Sequence, residues 1–285
     1  MSVKIIIDSA SDVVAAYCEK NGIGFAPLKT TLNGKEYRDG IDIVPDDFYA
    51  MLESNKELAH TSQVNASEFG ELFEKAVSEG HEVLAITISS GISGTFQSAR
   101  IAAADFPGKV FVVDSLTASA GEQVLLARAI ALRDEGKSAT EIFAELEELK
   151  HRVRLFLRVE TLEYLKRGGR ISKTSAMVGS LLNIKPVITM NAEGKLETVG
   201  KARGIKQSHQ MMNENILATG GFDPTMPVAM TYAGNIEDGA VSKYLDDSTA
   251  LFADTGITPS IGQLGCVIGT HTGPGALVVS YVAKN

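Results

Sequence analysis

Residues 81–98 have the sequence HEVLAITISSGISGTFQS, in which an apolar run leads through a Ser/Gly-rich loop into a polar segment. The run His81–Ile88 predicts a buried strand, and Thr95–Ala104 predicts a helix. Alternation of such units is typical of α/β proteins, in which ligands bind just beyond the carboxyl ends of the strands. This stretch therefore predicts both the class of the fold and the place of a binding site.

The alternation continues on both sides of this stretch, and short turn signals separate the elements. Asn33-Gly34 predicts a hairpin turn, and Ser138 with Glu141 forms a capping box at a helix start. Further strands are predicted at Val3–Ile7, Phe25–Leu32, Lys35–Arg38, Lys109–Val113, Lys185–Met190, Leu196–Gly200, Val228–Tyr232, Ile261–Ile268 and Ala276–Val282. Further helices are predicted at Ser11–Asn21, from Pro45, and at Ser67–Glu79, Gly121–Arg133, Ile142–Lys150, Ile205–Thr219 and Glu237–Leu245, with a short one leading into Lys166–Arg170.

The order of these elements predicts an α/β protein with two lobes. Residues 1–155 alternate strands with helices, which favours a mostly parallel sheet with flanking helices. Residues 156–285 contain paired strands as well as strand–helix units, which favours an α/β lobe with a mixed sheet. A cleft between two lobes is a common place for a ligand.

Composition and charge exclude several classes of function. The chain has 285 residues and a formal net charge of -8, which argues against broad nucleic-acid binding and adhesion to anionic membranes. Cys18 and Cys266 have no metal-binding spacing, so we expect no metal site. The start MSVKIIIDS is too short for a signal-peptide core, and the uncharged stretch Thr255–Ala283 is broken by Gly and Pro. We expect a cytoplasmic protein without stable membrane insertion.

The loop after the strand at residues 81–88 is suited to an anion. Ser93 and Thr95 supply hydroxyl donors, Gly94 allows close approach of the backbone, and the helix that follows offers unpaired N–H groups. An ordinary Ser/Gly loop with a capping serine is the alternative. The nucleophile elbow G-x-S-x-G is absent because Thr95 stands where its second glycine is required. Phosphate-loop and dinucleotide motifs are also absent, so Ser93 is interpreted as a hydrogen-bond donor.

Two further polar segments are candidates for ligand contact. Thr61 and Ser62 precede a predicted helix, and a capping or turn role is the alternative for both. Thr270, His271 and Thr272 lie in a Gly-rich stretch, predicted to be a turn between two apolar strands. A buried, hydrogen-bonded histidine is the alternative interpretation of His271.

Acidic and basic residues mark two more positions. Asp8, Asp12 and Asp114 lie at the carboxyl ends of predicted strands, where they cap the following helices or face a cleft. A basic group comprises Lys166, Arg167, Arg170, Lys173, Lys201, Arg203 and Lys206. These cations either stabilise helix C-termini or dock an acidic or phosphate-bearing partner.

Six motifs carry a resemblance to a known family. They are Asp8-Ser-Ala-Ser-Asp12, Thr61-Ser-Gln63, Ser89-Ser-Gly-Ile-Ser-Gly-Thr95, Asp114-Ser115, Lys166-Arg-Gly-Gly-Arg-Ile171 and Gly269-Thr-His-Thr-Gly-Pro-Gly-Ala-Leu277. Each motif is weak alone, but six in this order are specific. Together they resemble the DegV family of bacterial fatty-acid-binding proteins, which includes the binding subunits of fatty acid kinase.

The resemblance implies a long-chain fatty acid in a tunnel between the two lobes, with its carboxylate held by Thr61 and Ser93. It implies a carrier rather than an enzyme, with no catalytic residue and no cofactor apart from the bound fatty acid. Additional ligand contacts are expected from Ser62, Gly94, Thr95, Thr270 and His271.

In the kinase subset of the family, a separate ATP-dependent subunit phosphorylates the bound acid. The resemblance therefore implies a docking surface for such a subunit, which we expect near Arg170 and Arg203. The main alternative is a small serine hydrolase or acyl-processing enzyme that uses Ser93 and His271 with Asp8 or Asp114. The missing nucleophile elbow argues against it.

Overall fold

The computed structural model describes residues 2–54, 59–171, 183–253 and 255–284, so Lys173 of the basic group lies outside the described residues. The strands are β1 Val3–Asp8, β2 Gly24–Ala26, β3 Lys29–Leu32, β4 Lys35–Arg38, β5 His60–Ser62, β6 Glu82–Thr87, β7 Val110–Asp114, β8 Val153–Arg158, β9 Ile184–Met190, β10 Leu196–Arg203, β11 Val228–Tyr232, β12 Ser260–Gln263 and β13 Leu277–Val282. The helices are α1 Ala15–Lys20, α2 Pro45–Ser54, α3 Ala66–Ser78, α4 Thr95–Ala103, α5 Ala120–Asp134, α6 Ala139–Leu149, α7 Glu163–Arg167, α8 Ile205–Ala218, α9 Ala240–Asp247, α10 Thr249–Phe252 and α11 Cys266–Thr272.

The N-terminal part contains the predicted parallel sheet, with strand order β2-β1-β6-β7 and every pair parallel. Successive side chains of β6 point to opposite faces of the sheet. Val83 and Ala85 pack with α3 and α4, whereas Leu84 and Ile86 pack with α5 and α6. Helices therefore cover both faces, which explains why the strands of this sheet are apolar throughout.

The C-terminal part contains a mixed sheet, as predicted, with strand order β10-β9-β8-β13-β11-β12. One face packs against α8 and α9 through residues such as Phe156 and Tyr281. Leu155 and Leu157 of β8 point to the other face, toward the parallel sheet. None of the helices in the described part of the chain has the length and apolar character that a membrane span requires.

The strand β8 was not predicted, and it bears on the predicted division of the chain. The proposed boundary between Leu155 and Phe156 falls inside β8, and all of β8 belongs to the mixed sheet. The division into lobes 1–155 and 156–285 therefore stays a prediction.

A small antiparallel sheet, β4-β3-β5, lies beside the parallel one. The predicted turn at Asn33-Gly34 is confirmed, because both residues have the positive φ angles that this hairpin turn requires. The pairing of β5 with β3 places Thr61 opposite Thr30 in a strand. The alternative interpretation of Thr61 or Ser62 as a helix cap is wrong, because α3 is capped by Asn65.

The prediction of a long strand at Ile261–Ile268 is also wrong. The strand β12 ends at Gln263, and the helix α11 begins at Cys266. Thr270 and His271 therefore lie on a helix and not in a turn. An apolar run this short fits a strand or a helix equally well, and contacts from distant segments decide between them.

The loop after β6 contacts the β9–β10 hairpin directly. Ser89 Oγ donates to the carbonyl of Gly194, at 2.7 Å. A Cβ atom added to Gly91 would lie 2.5 Å from that same carbonyl oxygen. Gly91 is therefore required by the close approach of two backbones that belong to different sheets.

We expect Gly91→Ala to destabilise the protein by about 1–3 kcal/mol, because the two backbones must move apart. Gly70→Ala is the matched control, since Gly70 lies within α3 with open space around its Cα. It should stabilise the protein by about 0.5–1 kcal/mol. Urea unfolding measures both free energies, and equal effects of the two substitutions would contradict the assigned contact.

Candidate functional site

A cavity of about 320 Å³ lies between the carboxyl-terminal edge of the parallel sheet and the inner face of the mixed sheet. This volume is in the range of small-molecule sites in proteins. The loop after β6, the segment after β7, the strand β5 and the helix α11 form one side. The strands β8, β9, β10 and β13 form the other side.

Most of the cavity wall is apolar. Its apolar side chains are Leu28, Ile88, Ile92, Ala118, Leu155, Leu157, Leu165, Met190, Leu196, Val267, Ile268 and Val278. They come from both sheets, so a long apolar ligand in this cavity would contact both parts of the chain. Burial of methylene groups against such a wall is favourable by about 0.8 kcal/mol each.

Hydroxyl groups from two predicted residues line the same cavity. Thr61 reaches it from β5 and Ser93 from the loop between β6 and α4. His271 of α11 joins them, since its Nε2 lies 2.8 Å from Thr61 Oγ1. The structure therefore brings together three side chains that are 32 to 210 positions apart in the sequence.

Ser93 is fixed by its own loop. Its Oγ accepts a hydrogen bond from the backbone N–H of Thr95, at 3.2 Å, and lies 2.9 Å from Thr95 Oγ1. If the Thr95 hydroxyl donates to Ser93, the Ser93 proton is free to donate into the cavity. Thr95 itself is fully buried and supports Ser93 from behind.

Burial makes His271 a neutral side chain at physiological pH. Desolvation, together with the nearby charge of Arg170, lowers the pKa of His271 to about 4. Its Nδ1 has no hydrogen-bond partner among the described residues, and a Cβ atom on Gly168 would lie 2.2 Å from this nitrogen. A neutral ring with its proton on Nε2 donates to Thr61 Oγ1, which frees the Thr61 hydroxyl proton for a ligand.

The other predicted contact residues have different positions. Ser62 and Gly94 line the large cavity, as does Arg170. Thr270 does not; its hydroxyl donates to the Cys266 carbonyl one turn back in α11, at 2.8 Å. It faces a second, smaller cavity of about 130 Å³.

The two predicted docking arginines are in different environments. Arg170 is half-buried and donates to the carbonyls of Ile92 and Gly168, and burial lowers its pKa. Arg203 is exposed at the end of β10 and lines neither cavity. It lies seven residues beyond Leu196, or roughly 23 Å along the strand. The structure thus separates the two arginines, although both remain candidates for contact with a partner.

Buried carboxylates hold the segments that build the site. Asp8 accepts hydrogen bonds from the backbone N–H groups of Ala10 and Ile88, at 2.9 and 2.8 Å. Its pKa is raised to about 7 by burial. The capping interpretation of Asp8 is confirmed, since it precedes the 3₁₀ turn that starts at Ser9.

The start of α11 is held in the same way. Asp12 accepts from the N–H of Gly265, at 2.7 Å, and Asp39 accepts from the N–H of Cys266, at 3.0 Å. Asp39 had no sequence signal, because its partner is 227 residues away.

No group of three or more potential metal-binding side chains occurs in residues 2–54, 59–171, 183–253 and 255–284.

The hydrogen bonds do not assemble a catalytic triad. Neither Ser93 nor a carboxylate is bonded to His271 within the described part of the chain, where Thr61 is the partner of its Nε2. Asp8 and Asp114 accept from backbone N–H groups instead. A triad needs the base to contact both the nucleophile and the orienting acid.

Several residues of the cavity wall were not predicted from the sequence. Gln63, Ser119 and Thr272 line the polar part of the cavity. Gln63 belongs to a quoted motif, and Thr272 follows His271, so both were within reach of the motif argument. The apolar residues gave no usable signal, because strands buried on both faces have no alternation that marks one face.

Comparison with known proteins decides the family. A family model described as DegV, a family of uncharacterised proteins, matches residues 2–284. The chain belongs to the DegV family. A DegV domain-containing protein of Caldanaerobacter subterraneus is 35% identical to it, over 99% of each chain.

Solved structures of DegV-family proteins have the same fold as this DegV-family chain. A fatty-acid-binding DegV protein from Thermus thermophilus is 34% identical, with a TM-score of 0.88 over 99% of this chain and 100% of the other. A stearic-acid-binding protein from Eubacterium ventriosum is 27% identical, with a TM-score of 0.85 over 100% of this chain and 99% of the other. The predicted family and fold class are thereby confirmed.

Desolvation of the half-buried His271 ring predicts a pH dependence of stability. In the unfolded chain the His271 ring is protonated as the pH falls below about 6.5. In the native protein the same ring is protonated only near pH 4. Because the unfolded chain binds this proton more tightly, the free energy of unfolding decreases as the pH falls through this interval, by at most about 3 kcal/mol. In His271→Gln this loss should disappear, so urea unfolding should show a smaller fall in stability between about pH 7 and about pH 4.

His151→Gln is the control, because His151 is exposed and lines neither cavity. It should keep the pH profile of the unchanged protein. An unchanged profile in His271→Gln would show that His271 is not buried as a neutral ring.

Proposed function

We propose that this DegV-family protein is a cytoplasmic, non-catalytic carrier that binds one long-chain fatty acid. The observation that carries this proposal is the cavity itself, with an apolar wall along its length and the hydroxyls of Thr61 and Ser93 in it. The similarity to solved structures that are described as fatty-acid-binding supports the same ligand class.

The tail supplies the affinity. A sixteen-carbon chain buries about 14 methylene groups, or about 11 kcal/mol before the costs of association. Those costs amount to several kcal/mol, which leaves a dissociation constant around micromolar or lower.

The hydroxyl groups supply the orientation. A carboxylate taken out of water is costly unless it is hydrogen-bonded, and charge-assisted bonds contribute about 1.5–3 kcal/mol each. Thr61 and Ser93 donate one such bond each, and the neutral His271 keeps the Thr61 hydroxyl in its donor role. Arg170, which also lines the cavity, adds a positive charge without a direct ion pair.

We also propose that the bound acid is presented to a separate ATP-dependent kinase subunit. A carboxylate oxygen attacks the γ-phosphorus of ATP, the bond to the bridging oxygen breaks, and ADP leaves with the electron pair. The products are an acyl phosphate and ADP. Docking would involve Arg203 and the surface near Arg170. A protein–protein interface of ordinary size is wide enough to include both.

Thr61→Ala and Ser93→Ala should each weaken fatty-acid binding by about 10- to 100-fold, because each removes a bond to a charged group. Extraction of the purified protein with organic solvent, followed by mass spectrometry, should find one fatty acid per unchanged chain. Ser242→Ala is the control, since Ser242 is exposed on α9. A protein that is empty and takes up no fatty acid in solution would overturn the proposed function.

Arg203→Glu should leave fatty-acid affinity intact and slow kinase-dependent formation of acyl phosphate by at least about tenfold, because it repels an acidic partner surface. Arg170 is less suitable for this test, since it lines the cavity and its reversal would disturb the ligand as well. Lys137→Glu, which makes the same charge change at an exposed residue just before α6, is the control. Unchanged turnover in Arg203→Glu would remove Arg203 from the docking surface.

A further inference from the structure

Most of the exposed large apolar side chains come from segments that meet beside the strand β12. Eight such side chains are exposed in the described part of the chain, and six of them belong to only four segments. These six are between 47 and 69% exposed, and they are Val14, Tyr17, Ile41, Val44, Ile236 and Ile261. Single exposed apolar residues are ordinary, whereas a contiguous group marks an interaction site.

Hydrogen bonds hold three of these segments together at the end of β12. Gln263 Nε2 donates to Oδ1 of Asp46, at 2.7 Å, and to the carbonyl of Gly234, at 2.8 Å. Asp46 belongs to α2, and Gly234 follows β11. Each of the three residues has an exposed apolar residue two positions away in the sequence, and these are Val44, Ile236 and Ile261.

The fourth segment joins the same surface through α11, which begins shortly after β12. Asp12 and Asp39 accept hydrogen bonds from the start of this helix. Val14 and Ile41 lie two positions beyond these carboxylates, and Tyr17 is one turn beyond Val14 along α1. The six exposed side chains therefore form one surface, the apolar patch.

The apolar patch includes an edge of the mixed sheet. The strand β12 pairs with β11 on one side and with no described strand on the other. Natural proteins commonly protect such an edge with a charged residue or a proline, and residues 260–263 contain neither. An unprotected edge beside exposed apolar side chains indicates that another molecule covers it.

Acidic side chains border the apolar patch. Residues 14–20, 40–47, 234–239 and 260–263 contain six carboxylates and a single lysine. The exposed carboxylates that form no ion pair with the described residues are Glu19, Asp46, Asp47, Glu237 and Asp238. Such a border repels a second copy of the same surface and an anionic membrane, whereas it attracts a basic protein surface.

The apolar patch is separate from the features that the proposed function uses. None of its six residues lines the large cavity. The strands β12 and β10 are opposite edges of the six-stranded sheet, roughly 24 Å apart. Arg203 lies at the end of β10, so it and the apolar patch can contact different partners.

We propose that the apolar patch is the docking surface of a partner protein whose own apolar side chains are bordered by lysine and arginine. The apolar side chains of the partner are removed from water against the patch, and its cations face the acidic border. The border charges speed the encounter and select a basic partner. The fatty-acid ligand has no part in this contact, because the patch lies outside the large cavity.

The test uses a labelled amphipathic peptide with the sequence LKKLLKLLKKLLKL, and fluorescence anisotropy measures its affinity. The protein should bind this peptide, more weakly as NaCl is added, and should not bind the same peptide with glutamate in place of each lysine. Ile236→Ser should weaken binding by at least about fivefold, as loss of an apolar anchor does. Asp47→Lys should weaken it by about tenfold and make it less dependent on salt.

Two matched controls carry the same changes elsewhere on the surface. Leu217→Ser removes an exposed apolar side chain from α8, and Glu148→Lys reverses an exposed charge on α6. Both should keep the affinity of the unchanged protein. If the control variants weaken binding as much as the patch variants do, or if the peptide does not bind, the docking surface is overturned.

Two further measurements distinguish other occupants of the apolar patch. Flotation with phosphatidylcholine vesicles detects a lipid surface, and sedimentation equilibrium detects a second copy of the chain. We expect neither association. Either one, if Ile236→Ser abolishes it, overturns the proposal of a basic protein partner.

Discussion

Backbone N–H groups from distant segments donate to three buried carboxylates, and the walls of the cavity are positioned by these bonds. Asp8 holds the loop after β6 through Ile88, and Asp12 and Asp39 hold the first turn of α11. Ser93 lies on that loop, and His271 lies on that helix. A shift of the loop would move the Ser93 hydroxyl away from Thr61, and a shift of α11 would move His271 away from the Thr61 hydroxyl that it contacts.

These carboxylates are costly to bury, and the structure offsets the cost locally. Burial raises the pKa of Asp8, Asp12 and Asp39, and none of the three forms an ion pair with an arginine or lysine of the described residues. Backbone N–H groups donate to them instead: those of Ala10 and Ile88 to Asp8, and those at the start of α11 to Asp12 and Asp39. The start of a helix carries partial positive charge, which favours the latter two. Arg170, a cation in the wall of the large cavity, donates to the backbone carbonyls of Ile92 and Gly168 rather than to these carboxylates.

The sequence predicted the elements whose signals are local. The Asn33-Gly34 turn, the capping box at Ser138 and the strand Val228–Tyr232 were correct, since each depends on residues close together in the chain. The six motifs also contain Thr61, Ser93 and His271, which line one cavity. They do not contain Asp39, whose partner lies at the far end of the chain.

The sequence alone determined the α/β class, the two kinds of sheet and the hydroxyl-bearing segments, because periodicity, turns and motifs are encoded by neighbouring residues. Only the tertiary structure decided that residues 266–272 form a helix, because the carboxylates of Asp12 and Asp39 stabilise its first turn from other segments. It also decided that Arg170 lines the cavity while Arg203 is exposed to solvent. Whether an arginine is buried, and what lies near it, depends on how distant segments pack. The residues next to Arg170 and Arg203 in the sequence therefore do not distinguish the two positions.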